Sequence, residues 1–185
     1  MRIEQLRKNY DIEVRWAAFP LHPETPEEGL TLEELFAGQP IDIKKNMVRL
    51  KQVADELGLP LSERRKTYNS RLAQELAKWA ESKGKGDEFH GAVFRAYFVD
   101  GKNIGKVNEI VDLAKSIGLS DKEARSVLGL RTFKEAVDSD WARSRALGIT
   151  GVPTFLVDHS AAVGFQPYED LEQFLINFGA KKRNH

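Results

Sequence analysis

Apolar residues recur along most of this chain three and four positions apart, the spacing of amphipathic helices, and shift to alternation or short continuous runs in only a few places. Ile3 and Leu6 predict a short helix over residues 2–9. The run Ile12-Glu13-Val14-Arg15-Trp16 alternates instead, which predicts a half-buried strand over 11–18. Pro20, Pro23 and Pro26 then break regular structure and make 17–30 a loop. Thr31-Leu32-Glu33-Glu34 offers a capping box, in which a hydroxyl and a carboxylate three residues apart satisfy each other's backbone N–H groups, and starts a short helix through Phe36.

From residue 44 to residue 147 the spacing is helical almost throughout. Met47, Leu50, Ala54 and Leu57 mark a first stripe, stopped at Gly58-Leu59-Pro60. Leu72, Leu76 and Trp79 mark a second, Phe89, Val93 and Tyr97 a third, and Val107, Ile110, Val111 and Ala114 a fourth, closed by Gly118. Capping boxes at Ser120-Asp121-Lys122-Glu123 and Thr132-Phe133-Lys134-Glu135 predict a short helix and a longer one that carries Phe133, Val137 and Trp141 and ends at Gly148. After it, the β-branched and aromatic run from Gly151 to Asp158 and a second short run at Ala162-Val163-Gly164-Phe165 read as a hairpin. Pro167 opens a last helix with Leu171, Phe174, Leu175 and Phe178 on its apolar face, closed by Gly179. The pattern is that of an α/β frame, 1–43 with 148–180, interrupted by an all-helical insertion at 44–147 and followed by a basic tail at 181–185.

Charge narrows the possible partners. The 28 basic residues balance the 28 acidic ones, so there is no diffuse positive field for capturing phosphates, and no nucleic-acid partner is expected. Lys181-Lys182-Arg183 reads as a solvated tail without function. No apolar run reaches the roughly 20 residues of a membrane span, and the N-terminus has no apolar signal core, so a cytoplasmic protein without a membrane partner is expected. The count of cysteines is zero, which excludes thiolate metal sites and thiol nucleophiles within this chain. His22, His90, His159 and His185 are scattered with no two at ligand spacing, and neither a metal nor a cofactor is expected.

One motif stands out from the helical background. Thr150-Gly151-Val152-Pro153-Thr154-Phe155 resembles the signature of thioredoxin-fold proteins, in which the proline follows a cis peptide bond and faces the redox cysteines. Trp16-Ala17-Ala18-Phe19-Pro20-Leu21-His22-Pro23, Asn69-Ser70-Arg71-Leu72-Ala73 and Gly164-Phe165-Gln166-Pro167 resemble, in the same order, segments of DsbA-like oxidoreductases of the FrnE type. The likeness spans nearly the whole chain. It implies a thioredoxin-like α/β fold with a helical insertion, its sheet built from 11–18, 153–158 and 161–165. It also implies a cis bond before Pro153 and a binding role for Gly151, Val152, Pro153 and Thr154, with the Val152 backbone offered to an extended peptide or to glutathione. Asn69 and His22 are further candidates for lining the cleft. The plainer readings are that Asn69-Ser70 caps a helix and that His22 belongs to loop structure.

The chain departs from the family at its start. Members begin with a β-strand leading into a Cys-Pro-Trp-Cys-like motif, whereas residues 2–16 correspond to the helix and strand that follow, so the first strand of the fold is expected to be missing. Disulfide exchange needs one thiolate to attack sulfur and a second to resolve the mixed disulfide, so no residue is assigned as catalytic. The resemblance implies a DsbA/FrnE-like family member inactive in dithiol exchange as this chain. The alternatives are a glutathione-dependent isomerase or transferase, as in the related 2-hydroxychromene-2-carboxylate isomerases, and a noncatalytic binding module. A missing strand would leave a gap beside 11–18, to be filled by residues 1–5 in extended form or by a segment of a second copy, giving a homodimer by strand exchange.

Overall fold

The structure, a computed structural model, describes residues 2–183. In chain order its elements are α1 (Arg2–Asn9), β1 (Leu30–Thr31), α2 (Leu32–Leu35), α3 (Ile43–Glu56), β2 (Lys66–Thr67), α4 (Arg71–Ser82), α5 (Gly86–Phe98), α6 (Val107–Ser116), α7 (Asp121–Leu130), α8 (Lys134–Ala146), β3 (Thr154–Val157), β4 (Ser160–Val163) and α9 (Tyr168–Asn177). They fall into two compact units: residues up to Leu21 together with those from Ser139 onward, and His22–Asp138. None of the described helices is long and apolar enough to cross a membrane.

The second unit is the helical one. Ala73, Leu76, Trp79 and Ala80 of α4 meet Phe89 of α5, Ile110, Val111 and Ala114 of α6, and Ala124 and Leu128 of α7 in a single apolar core. Full burial of a large side chain such as Leu76 or Phe89 stabilises by about 1.5–3 kcal/mol, so this stripe-to-stripe packing holds the four helices together. The helix ends follow local chemistry. Thr31 and Glu34 form the reciprocal capping box of α2, Asp42 accepts from the Lys45 N–H at the start of α3, and Ser120 accepts from the Glu123 N–H at the start of α7. The stripe of α3 joins the core least, since Ala54 is buried while Leu50 and Leu57 are each 43% exposed.

This unit begins before residue 44 and ends before residue 147. Its start is drawn in because β1 pairs antiparallel with β2, Leu30 opposite Thr67 and Thr31 opposite Lys66. Gly29 allows that approach: its φ is +75°, and a Cβ there would lie 2.5 Å from the Tyr68 ring and 2.6 Å from the Thr67 carbonyl oxygen. At the other end, Asp140 in α8 is buried in the first unit, where it accepts from the Ala18 N–H at 2.9 Å and pairs with Arg15 at 3.6 Å.

In the first unit, Leu6, Tyr10 and Leu171 form a small core with Ile3, Ile12, Phe155, Tyr168, Leu175 and Ala180 packed on it. Strands β3 and β4 pair antiparallel from Thr154 opposite Val163 to Val157 opposite Ser160. The expected strand at 11–18 is not part of this sheet, which among the described residues has two members. Its alternation survives in burial: Ile12, Val14, Trp16 and Ala18 are half-buried, and Asp11, Glu13, Arg15 and Ala17 are exposed. Alternation decides which side chains turn inward, but a strand also needs a backbone partner. Here the ends of the segment are bonded elsewhere, Asp11 N–H to the Lys181 carbonyl at 2.8 Å and Ala18 N–H to Asp140, and Glu13, Val14 and Arg15 have no backbone partner among the described residues.

Two further expectations are corrected in this unit. Residues 2–5 are not extended, because Arg2–Asn9 is helical with Leu6 driven into the core; Met1 lies outside the described residues. The basic segment is not a free tail either. Lys182 bridges antiparallel to Tyr10, and Arg183 bonds the Asn9 carbonyl through its N–H at 2.8 Å and the Tyr10 carbonyl through Nε at 2.9 Å. Asn184 and His185 lie outside the described residues.

Candidate functional site

Helix α8 stops at Ala146, Gly148 with its φ of +66° turns the chain away, and residues 149–153 lead into β3. The Ile149 N–H returns to the Ser144 carbonyl, the Thr154 hydroxyl donates to the Gly151 carbonyl at 2.7 Å, and the Gly164 N–H donates to the Pro153 carbonyl at 2.7 Å. The Val152–Pro153 bond is cis. Val152 itself is 50% exposed, and neither its N–H nor its C=O has a partner among the described residues. The Gly151 and Pro153 carbonyls on either side are thus engaged, while exposed Val152 presents a donor and an acceptor together. That is the unit by which an extended chain pairs with a protein backbone. A Cβ added at Gly151 would meet nothing within 4 Å, so space beside the loop is open as well.

The six candidate residues divide between the two units. Gly151, Val152, Pro153 and Thr154 make the loop just described. Asn69 and His22 belong to the helical unit. Asn69 Nδ2 donates to the carbonyls of Thr25, at 2.7 Å, and Pro23, at 3.2 Å, while its Oδ1 accepts from the Arg71 N–H at 2.9 Å. One amide thus clamps the proline-broken loop onto the start of α4. Ser70 makes no capping bond of its own and accepts from Gln74 Nε2 instead. Asn103, not singled out from the sequence, repeats the device: its Nδ2 donates to the Glu27 carbonyl at 2.8 Å and its Oδ1 accepts from the Gly105 N–H. Asn before a helix or turn was the only available signal.

His22 precedes the clamped Pro23 and meets the Phe36 ring edge to face with centroids 6.0 Å apart. Burial, and after it the charge of Arg64, pushes its pKa below the usual 6.5, so the ring is neutral at neutral pH.

A mostly helical α/β frame, a short hairpin and a cis-proline loop at its entrance define the thioredoxin-like class of DsbA proteins. Residues 1–176 match the DSBA-like thioredoxin domain, and the chain belongs to that family. It is 26% identical to the uncharacterized protein YwbO of Bacillus subtilis over 182 residues, 97% of this chain and 88% of that one. A probable DsbA oxidoreductase from Streptomyces coelicolor shares the fold with a TM-score of 0.85 and 24% identity, over 95% of this chain and 81% of that one. A 2-hydroxychromene-2-carboxylate isomerase shares it with a TM-score of 0.72 and 17% identity, over 96% and 85% of the two chains.

Proposed function

We propose that this chain acts in the ligand-binding half of DsbA-like chemistry, in the manner of a FrnE-type protein, by holding an extended peptide or a glutathione-like thiol against the Val152 backbone. The observation that carries the reading is the pairing of an unengaged N–H and C=O on exposed Val152, between the engaged carbonyls of Gly151 and Pro153. The chain itself supplies no dithiol exchange in this reading, because attack on a disulfide needs a thiolate and the sequence contains no cysteine. A cytoplasmic setting is part of the proposal, supported by the lack of any long apolar helix among the described residues.

A glutathione-dependent isomerase or transferase is the second reading, favoured by the fold shared with the 2-hydroxychromene-2-carboxylate isomerase. Calorimetric titration with S-methylglutathione and with an extended peptide bears on the choice, since binding of the peptide counts against the isomerase reading, which requires the tripeptide to bind and the peptide not to. In either case Val152→Ala should bind within about twofold of the parent, as the grip is backbone, and Val152→Pro should lose binding because it has no N–H. Unchanged binding by a folded Val152→Pro variant would overturn the proposal.

A further inference from the structure

Arg64 lies on the connection between α3 and β2 in the helical unit. Its guanidinium carbon sits 5.5 Å from the centroid of the Tyr97 ring and 5.9 Å from that of Phe98, and Nη1 donates to the Tyr97 hydroxyl at 3.0 Å. The wall behind it is aromatic. Tyr97 and Phe98 meet edge to face at 4.8 Å, Tyr68 meets Tyr97 at 6.3 Å, and the Ser62 N–H donates to the Phe98 carbonyl, which pins the approach of the connection to the end of α5. Phe94, 50% exposed and 5.4 Å from the Phe98 ring, extends the aromatic surface outward.

What the cation lacks is an anion. Among the described residues Arg64 pairs with no carboxylate, and its Nε is buried without any acceptor. The other arginines of the helical core differ, since Arg71 and Arg131 both bond Glu75. A charged donor removed from water and left without an acceptor is unfavourable, and the guanidinium is held beside the aromatic rings by the bond from Nη1 to the Tyr97 hydroxyl. The charge of Arg64 also reaches His22, helping to hold that ring's pKa below its usual value.

We propose that Arg64, with Tyr97 and Phe98 as its wall, binds the carboxylate of an organic acid whose apolar or flat body lies on the aromatic surface. A guanidinium pairs with a planar carboxylate through charge-assisted hydrogen bonds, and the neighbouring rings suit an apolar body. The acid can be a small aromatic molecule or the C-terminus of a peptide, and the site is independent of the Val152 loop.

Four probes test this: benzoate, benzamide, the peptide acetyl-Gly-Gly-Phe as free acid, and the same peptide as its amide. Calorimetry should show saturable binding of one or both acids and none of the amides, and which acid binds identifies the source. Arg64→Met, checked by circular dichroism, should weaken that binding by about tenfold or more. Arg64→Lys, which keeps the charge but loses the planar fork, should fall between them. In the parent protein the acid should also raise the titration midpoint of His22 followed by NMR, because it neutralises the charge that depresses it; the Arg64→Met protein should show no such rise. Equal binding of acids and amides, undiminished binding by Arg64→Met or Arg64→Lys, or no saturable binding of either acid at millimolar concentration would each overturn the assignment.

Discussion

Arg131 places Nε 2.8 Å from Oε2 and Nη2 2.6 Å from Oε1 of Glu75, from a backbone held in the left-handed region at φ 53°. Glu75 is 1% exposed, and Arg71 reaches the same carboxylate through Nε at 2.6 Å while its other nitrogens bond Asp138 and the Lys134 carbonyl. The cluster ties α4 to the end of α7 and the start of α8. Removing the anion leaves two guanidinium groups facing each other, so Glu75→Leu should lower unfolding stability by about 3 kcal/mol. Urea titration measures it, and a loss under about 1 kcal/mol would mean the cluster contributes little.

Acid should weaken the fold in two stages. Burial lowers the pKa of His22 and His90 from 6.5, so below that pH the unfolded chain binds protons that the folded chain refuses, and stability falls as pH drops. For Glu75, burial alone would raise the pKa, but the bonds from Arg131 and Arg71 outweigh it and hold it below 4.5. That contribution is present above 4.5 and is lost as pH falls through the lower folded value. The urea midpoint should therefore decline between about pH 6.5 and pH 5 in the parent and stay nearly flat there in a His22→Gln, His90→Gln protein.

Tyr10 is fully buried and donates its hydroxyl to Glu172 Oε1 at 2.9 Å, where Tyr168 also donates at 3.2 Å. Burial and the carboxylate push its phenol up to about 12. Spectrophotometric titration should show one tyrosine ionising near that value, absent in Tyr10→Phe. Because the folded pKa is raised from 10.0, its stabilising contribution is intact below that pH and is lost as pH climbs toward 12.

The backbone groups of Glu13, Val14 and Arg15 have no partners among the described residues. Strand exchange between two copies along this open edge is the homodimer proposed for the chain. Sedimentation at several concentrations should show association, reduced in Val14→Pro, which removes one donor from the edge. A monomer at all concentrations removes strand exchange from consideration.

A backbone grip at Val152 makes a distinct demand on Gly151, where an added Cβ has open space. Gly151→Ala should leave stability nearly unchanged in a thermal melt while weakening binding of the extended peptide, since only the ligand would meet the new methyl group.

Local pattern determined most elements of this protein by itself. Stripes such as Leu72, Leu76 and Trp79 became α4, the run after Pro153 became β3, and the box at Thr31 and Glu34 formed as read, because helical spacing, alternation and capping involve residues within a few positions of one another. Tertiary structure decided the partners. Ile12 to Trp16 has strand alternation but no ladder, since a ladder depends on a second backbone that alternation does not name. Glu75 looked like any helix carboxylate until Arg131, 56 positions away, closed on it, and Tyr10 meets its carboxylate across 162 positions. Arg64 finds Tyr97 33 positions away. Periodicity states which face of an element avoids water, whereas an ion pair, an open strand edge or an unmatched guanidinium depends on which distant residue the packed chain brings to it.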